Sequence, residues 1–299
     1  MNFRPYEGLH DLHAMLDLLS DGCRAKNGTH YAHRGDLQWW LFYTDTPEVV
    51  WRPNIRLWVE GERLMGFALL SFEEKTCDVF IHPELRGTQQ ERELMSYALN
   101  EMSAVEDLQV MWISDQDTVR IRWLEQSGFA CQEEYFVYFT RSLSDPVLAP
   151  VLPAGFSLRH SHGEEDAKLR SVASHAAFSQ HRDFEGYWPR TLRFMQSPVY
   201  VPEHERFVIS PNGDVASFCI LWTDEINKLG HFEPVGTHPD YQRNGFSRAL
   251  LYDSMRQLRS EGMIETDVCT TSTNLPAIHL YESVGFTLTK RLLEFRKRK

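Results

Sequence analysis

The chain has 299 residues, 42% of them hydrophobic and 12% aromatic, enough for two hydrophobic cores. No run approaches the roughly 18 apolar residues that a membrane span needs. The net charge of −11 lies in residues 1–150, which hold 13 Lys and Arg against 24 Asp and Glu, whereas residues 151–299 hold 18 of each. That balance opposes a nucleic-acid partner, favours a cationic one, and makes the neutral half the better place for an anionic cofactor. Cys23, Cys77, Cys131, Cys219 and Cys269 are odd in number and never form a CxxC pair, which argues against a disulfide framework and a zinc site. The N-terminus lacks the layout of a signal peptide, so a cytoplasmic location is expected.

In chain order, residues 3–6 read as a strand and 9–20 as an amphipathic helix with Leu9, Leu12, Leu16 and Leu19 at helical intervals. An aromatic-rich helix follows near 35–44. Ile55 to Val59 and Leu64 to Leu70 make a hairpin around Gly61. Strands at 77–82 and 108–113 alternate with helices at 88–103 and 117–127, and short strands at 129–131 and 134–141 close the unit. The second half repeats this course: a strand at 156–160, helices at 163–177 and 186–196, and a hairpin from Phe207 to Leu221 turning at Pro211-Asn212-Gly213. Then come a central strand at 231–237, a helix at 245–261, a strand at 265–270, a helix at 274–284 and a last strand at 288–296. Strands flanked by helices in both halves predict an α/β (α+β) protein with mixed sheets.

The halves also echo each other in residues. His82-Pro83-Glu84-Leu85-Arg86-Gly87 matches His238-Pro239-Asp240-Tyr241-Gln242-Arg243, and Ser127-Gly128-Phe129 matches Val284-Gly285-Phe286, at intervals of 46 and 47 residues. The seam falls between Ser144 and Gly155, which contains three prolines. Two tandem domains, 1–145 and 153–299, are expected.

Three features of the second copy converge. Gln242-Arg243-Asn244-Gly245-Phe246-Ser247 leaves a strand and enters a helix through small residues, a turn whose free N–H groups and helix dipole suit a pyrophosphate. Asn274 can cap a helix on which Tyr281 lies two turns along the same face. Glu233 sits on the central strand, with His231 on the same face. A phenol can protonate a departing thiolate, and a carboxylate such as Glu233 can take a proton from an attacking amine.

The turn, followed by Asn274-Leu275-Pro276-Ala277-Ile278-His279-Leu280-Tyr281-Glu282-Ser283-Val284-Gly285-Phe286, resembles the GCN5-related N-acetyltransferase (GNAT) superfamily over most of 151–299. The family turn is Gln/Arg-x-x-Gly-x-Gly/Ala, from which Ser247 departs. The resemblance implies acetyl-CoA as cosubstrate and no metal. It places the pantetheine arm along Val235, Gly236 and Thr237, the pyrophosphate on the amides from Arg243 to Ser247, Asn274 against the pantetheine and Tyr281 beside the sulfur. In the first copy Gln89 and Glu91 replace the small positions, Asp117 replaces Asn274 and Leu124 replaces Tyr281, so that copy is expected to keep the fold without productive coenzyme binding.

Blander readings exist for each residue: Tyr281 as a core aromatic, Glu233 as a paired strand residue, Cys269 as a structural thiol rather than a nucleophile. The stretch Phe184 to Arg190 could line an acceptor pocket or simply pack. His160, His162, His175 and His181 lack metal-ligand spacing. The expected reaction is direct acetyl transfer to a primary amine of a small molecule or peptide, with O-acetylation open. A non-catalytic acyl-CoA sensor is the alternative. Oligomeric state and acceptor are not legible.

Overall fold

The structure is a computed structural model that describes residues 2–25 and 30–297. The first half contributes β1 (Asn2–Pro5), α1 (Leu9–Ala25), α2 (Arg34–Phe42), α3 (Glu48–Trp51), β2 (Ile55–Glu60), β3 (Arg63–Ser71), β4 (Thr76–Ile81), α4 (Gln89–Glu101), β5 (Gln109–Ser114), α5 (Thr118–Gln126) and β6 (Phe129–Ser142). The second contributes β7 (Ser157–His160), α6 (Ala167–Phe178), α7 (Phe184–Met195), β8 (Glu205–Ile209), β9 (Val215–Asp224), β10 (Leu229–Thr237), α8 (Phe246–Ser260), β11 (Glu265–Thr271), α9 (Leu275–Ser283) and β12 (Thr287–Lys297). The mixed α/β class is as expected. The strands anticipated at 129–131 and 134–141 are one continuous β6, and the short α3 carries no sequence periodicity that would announce it.

The twelve strands among the described residues join into one sheet in the order β1-β2-β3-β4-β5-β12-β6-β11-β10-β9-β8-β7. The last strand of the chain therefore lies in the first half's territory, between β5 and β6, while β6 reaches across to pair with β11 from Phe136↔Thr271 to Ser142↔Glu265. Side chains fasten this exchange. Phe295 of β12 is wholly buried in a core with Met95, Val110 and Phe129, and Val137 and Phe139 of β6 enter the core of the second half beside Phe232 and Val268. Each such burial stabilises by about 1.5–3 kcal/mol.

A second clasp links the halves across α6 and α7. Arg170, 1% exposed, donates from Nε to Glu205 at 2.8 Å and from its terminal nitrogen to the Tyr43 hydroxyl at 3.1 Å. Tyr187 meets the same Tyr43 hydroxyl at 3.0 Å, and Arg190 donates to the Tyr43 carbonyl. The aromatic-basic stretch from Phe184 to Arg190 thus grips the loop after α2.

Two parallel strand pairs in the sheet are short. β10 and β11 pair only from Leu229↔Glu265 to Phe232↔Val268, and a bulge at Glu233 and Pro234 then shifts the register of β10 against β9. Beyond that point the β11-facing edge of Val235, Gly236 and Thr237 has no ladder partner among the described residues. β4 and β5 share a single parallel pair, Thr76↔Gln109.

Candidate functional site

The turn after β10 is built to present amides. Arg243 and Gly245 both hold positive φ, 64° and 79°, a conformation that costs a residue other than glycine. Gly245 is the N-cap of α8 and offers no side-chain cap, and no acceptor meets the N–H groups of 243–247 among the described residues. Successive amides in such a left-handed turn, at the positive end of a fifteen-residue helix, form an anion-binding concavity. Phe246 anchors it by burying its ring against Phe156, with centroids 4.4 Å apart. Gln242, Arg243 and Asn244 are exposed, and the Asn244 amide donates back to the Tyr241 and Gln242 carbonyls.

Ser247 has a reason for departing from Gly or Ala. Its hydroxyl lies 2.5 Å from Thr237 Oγ1, which in turn lies 3.0 Å from Ser217 Oγ, so the first turn of α8 is tied to β10 and β9. Gly236 is fixed by packing, since a Cβ there would stand 2.3 Å from the Phe218 ring. Asn274 caps α9 by accepting from Ala277 N at 3.4 Å and donates to Thr270 Oγ1 at 2.9 Å. Its amide is already engaged.

Glu233 stands where β10 and β11 part, and Tyr281 of α9 lies within range of its charge. Tyr281 is 5% exposed, packs on Phe139 and Phe286, and its hydroxyl makes no hydrogen bond among the described residues. Burial, then the neighbouring Glu233, holds the phenol proton well above the usual tyrosine range. Burial also lifts the Glu233 carboxyl to about 7, with Asp36 adding to the rise and His231 opposing it. A base with that pKa is half ionised near neutrality, the poise that proton abstraction favours. Burial keeps Cys269 protonated well above the ordinary thiol range, which disfavours a nucleophilic role.

The local sequence gave no sign of the charged network behind Glu233. His231, fully buried, lies 2.6 Å from Asp267 on β11 and, in an off-axis ion pair, 2.9 Å from Asp36 on α2. Asp36 also accepts from the Tyr138 hydroxyl at 3.0 Å and the His33 amide at 2.9 Å. Burial alone would lower the His231 pKa, but the two carboxylates outweigh it and keep the ring protonated well above the imidazole range. Burial would likewise raise Asp36, yet His231 brings it down to about 2. His231 thus contributes stability that is lost only as pH rises through its raised pKa, and Asp36 contributes stability that is lost as pH falls towards 2. Asp36→Asn should cost about 3–5 kcal/mol in urea unfolding at neutral pH, since it leaves a buried charge half-paired. The deficit should shrink as the pH falls through the Asp36 titration, and a constant deficit would remove the ion pair as its cause.

Residues 171–286 match the family described as Acetyltransferase (GNAT) family. Mycothiol acetyltransferase from Streptomyces coelicolor is 25% identical over 293 residues, covering 95% of this chain and 90% of the relative. The same-named protein of Thermobispora bispora is 26% identical over 238 residues, covering 76% and 78%. Among solved structures, a tandem GNAT protein from the clavulanic acid biosynthesis pathway superposes with TM-score 0.68 at 18% identity, covering 99% of this chain and 97% of the other. A GCN5-related N-acetyltransferase from Sphaerobacter thermophilus gives 0.66 at 19%, covering 99% and 95%. The matching segment, residues 171–286, is similar in sequence to GNAT acetyltransferases. The fold of the tandem GNAT structure runs through both halves of this chain.

The first GNAT-like half shows how such a turn can be closed from within. Gly87, at the position of Arg243, keeps the positive φ of 76°. Its amide, however, donates to Glu91 Oε2 at 2.6 Å, so a side-chain carboxylate sits in the anion nest. Glu91, 2% exposed, pairs with Arg86 and with Arg120 Nε at 3.1 Å, and Arg86 also pairs with Asp117. Arg120 then donates to the Val79 carbonyl at 3.2 Å, filling the split beside β4. Arg120 stands where the second half has Ala277, a difference the sequence comparison had not weighed. No group of three or more His, Cys, Asp or Glu able to hold a metal occurs among the described residues. His175 spends Nε2 on the Arg182 carbonyl, and His160 spends Nδ1 on the Ser161 carbonyl.

Proposed function

We propose that the second half transfers an acetyl group from acetyl-CoA directly to a primary amine of a small molecule or peptide. We read the chain as two copies, 1–145 and 153–299, of which only the second binds the coenzyme. The observation that carries this is convergence: the open amide turn at 243–247, the unpaired edge of 235–237, and the Glu233–Tyr281 pair all border one strand split.

Bound acetyl-CoA would supply the activated thioester. The amides of 243–247 would hold its pyrophosphate, and the free edge of Val235 to Thr237 would align the pantetheine arm. Glu233, ionised above about 7, would take a proton from the acceptor's ammonium, directly or through water, so that the free amine can attack the thioester carbonyl. Tyr281 Oη, which has no other hydrogen-bond partner among the described residues, would deliver a proton to the departing sulfur. Relatives named for mycothiol favour a small-molecule acceptor, and the acidic first half would attract a cationic one.

Tyr281→Phe tests the reading. Turnover should fall about tenfold, below the usual 10²–10⁴ for a proton donor because a thiol of pKa about 8.5 already leaves readily. Coenzyme affinity by calorimetry should hardly move. Acceptor-dependent thiol release at an unchanged rate would remove Tyr281 from the mechanism. Coenzyme binding in the unaltered chain without release for any amine in a broad panel would favour an acyl-CoA sensor.

A further inference from the structure

We propose that the first half retains a binding cavity for an organic ammonium ion, separate from the acetyl-transfer site. A cavity of about 560 Å³ opens beside β3, β4 and β5, under the loop that follows α2. Its walls include the indoles of Trp40, Trp51 and Trp112, all partly exposed. Trp40 stacks on Trp112 with centroids 5.1 Å apart, and Trp112 leans on Phe136 at 4.5 Å. Trp112 holds φ at 61°, a left-handed backbone that is costly for so bulky a residue and that persists only where the surroundings enforce it.

Negative charge completes the chamber. Asp78 is 8% exposed, and one of its oxygens accepts from the Met111 amide at 3.1 Å. The other oxygen has no donor among the described residues. Glu73 and Glu74 stand on the rim without an ion pair among the described residues. The two arginines at the mouth share Asp45, Arg182 at 2.6 Å and Arg190 at 3.8 Å, and Arg190 also donates to the Tyr43 carbonyl at 2.9 Å. Burial, reinforced by Glu294 of β12, lifts Asp78 to about 7, as expected of a carboxylate that lacks a cation. Stacked indole faces beside uncompensated carboxylates are the chemistry that recognises a quaternary or alkyl ammonium.

The chamber does not share the transfer machinery. Glu233, Tyr281 and the turn at 242–247 do not line it, and Arg120 and Glu91 close the coenzyme position of its own half. An ammonium held there is bound without being acetylated there.

Choline and its uncharged isostere 3,3-dimethylbutan-1-ol discriminate the idea, titrated into the full chain at constant ionic strength and followed by calorimetry and tryptophan fluorescence. Choline should saturate and perturb the indole emission, and the isostere should bind at least about tenfold more weakly. Asp78→Asn and Trp40→Leu should each weaken choline about tenfold and leave coenzyme A affinity unchanged. Trp40→Leu, at a partly exposed indole, decides the matter if the Asp78 variant does not fold. Equal affinity for the two probes, no saturation by choline, or undiminished binding in a folded variant overturns the proposal. A parallel loss of coenzyme A affinity in the variants overturns the separateness of the two sites.

Discussion

Ser247→Glu should abolish coenzyme binding while leaving the fold intact. The substitution places at 247 the residue that position 91 holds in the first half, where its carboxylate already occupies the nest and bonds the Gly87 amide. A negative charge in the first turn of α8 suits the helix dipole and stabilises by about 0.3–1 kcal/mol. It opposes a pyrophosphate by about 4 kcal/mol per unit charge at 4 Å and an effective dielectric constant near 20, or roughly a thousandfold in affinity. Calorimetry with coenzyme A measures the loss, and a thermal melt checks the fold. Ser247→Ala separates charge from the lost Thr237 hydrogen bond, and should weaken binding far less. Affinity of the glutamate variant within about threefold of the parent would place the pyrophosphate elsewhere.

Glu233→Gln carries the second large effect. An ionised base is needed to accept the amine proton, so kcat/KM for the parent should rise with pH through about 7. A lysine-like acceptor adds its own limb near its amine pKa of about 10.4. The variant should lose about 10²–10⁴-fold at neutral pH and should lack the limb near 7. Glutamine preserves the shape of the side chain, so coenzyme affinity should hold. A profile that keeps its lower limb in the variant would assign the base to another group.

Much of the fold was readable because its signals are local. The turn at Pro211-Asn212-Gly213, the apolar spacing of α1 and the small residues before α8 each fix a segment through its own backbone or its own face. The amide turn and Tyr281 were legible for the same reason, being set by residues close together in the chain. The exchange of β6 and β12 was not, because pairing between strands so far apart in sequence leaves no periodic trace in either one. The Asp36–His231–Asp267 cluster was missed in the same way. Asp36 read as an ordinary first-turn acid of α2, which it also is, since it completes a capping box with His33. Arg120 was hidden because an arginine on a helix is normally solvated, and only the neighbouring Glu91 and Asp117 make its burial affordable.

The interleaved strands also constrain the order in which the molecule can be made. β6 ends at Ser142 and β12 begins at Thr287, so during synthesis the first half emerges with β5 and β6 both lacking the neighbour that will join them. Three strand edges, one of β5 and both of β6, and the cavity that Phe295 will fill stay open until the second half has been translated. Cutting the peptide bond anywhere in the proline-rich seam near 146–153 would not release two finished domains, because each fragment would carry off a strand of the other's sheet. The two halves share one sheet, so a gene encoding either one alone would specify an incomplete sheet.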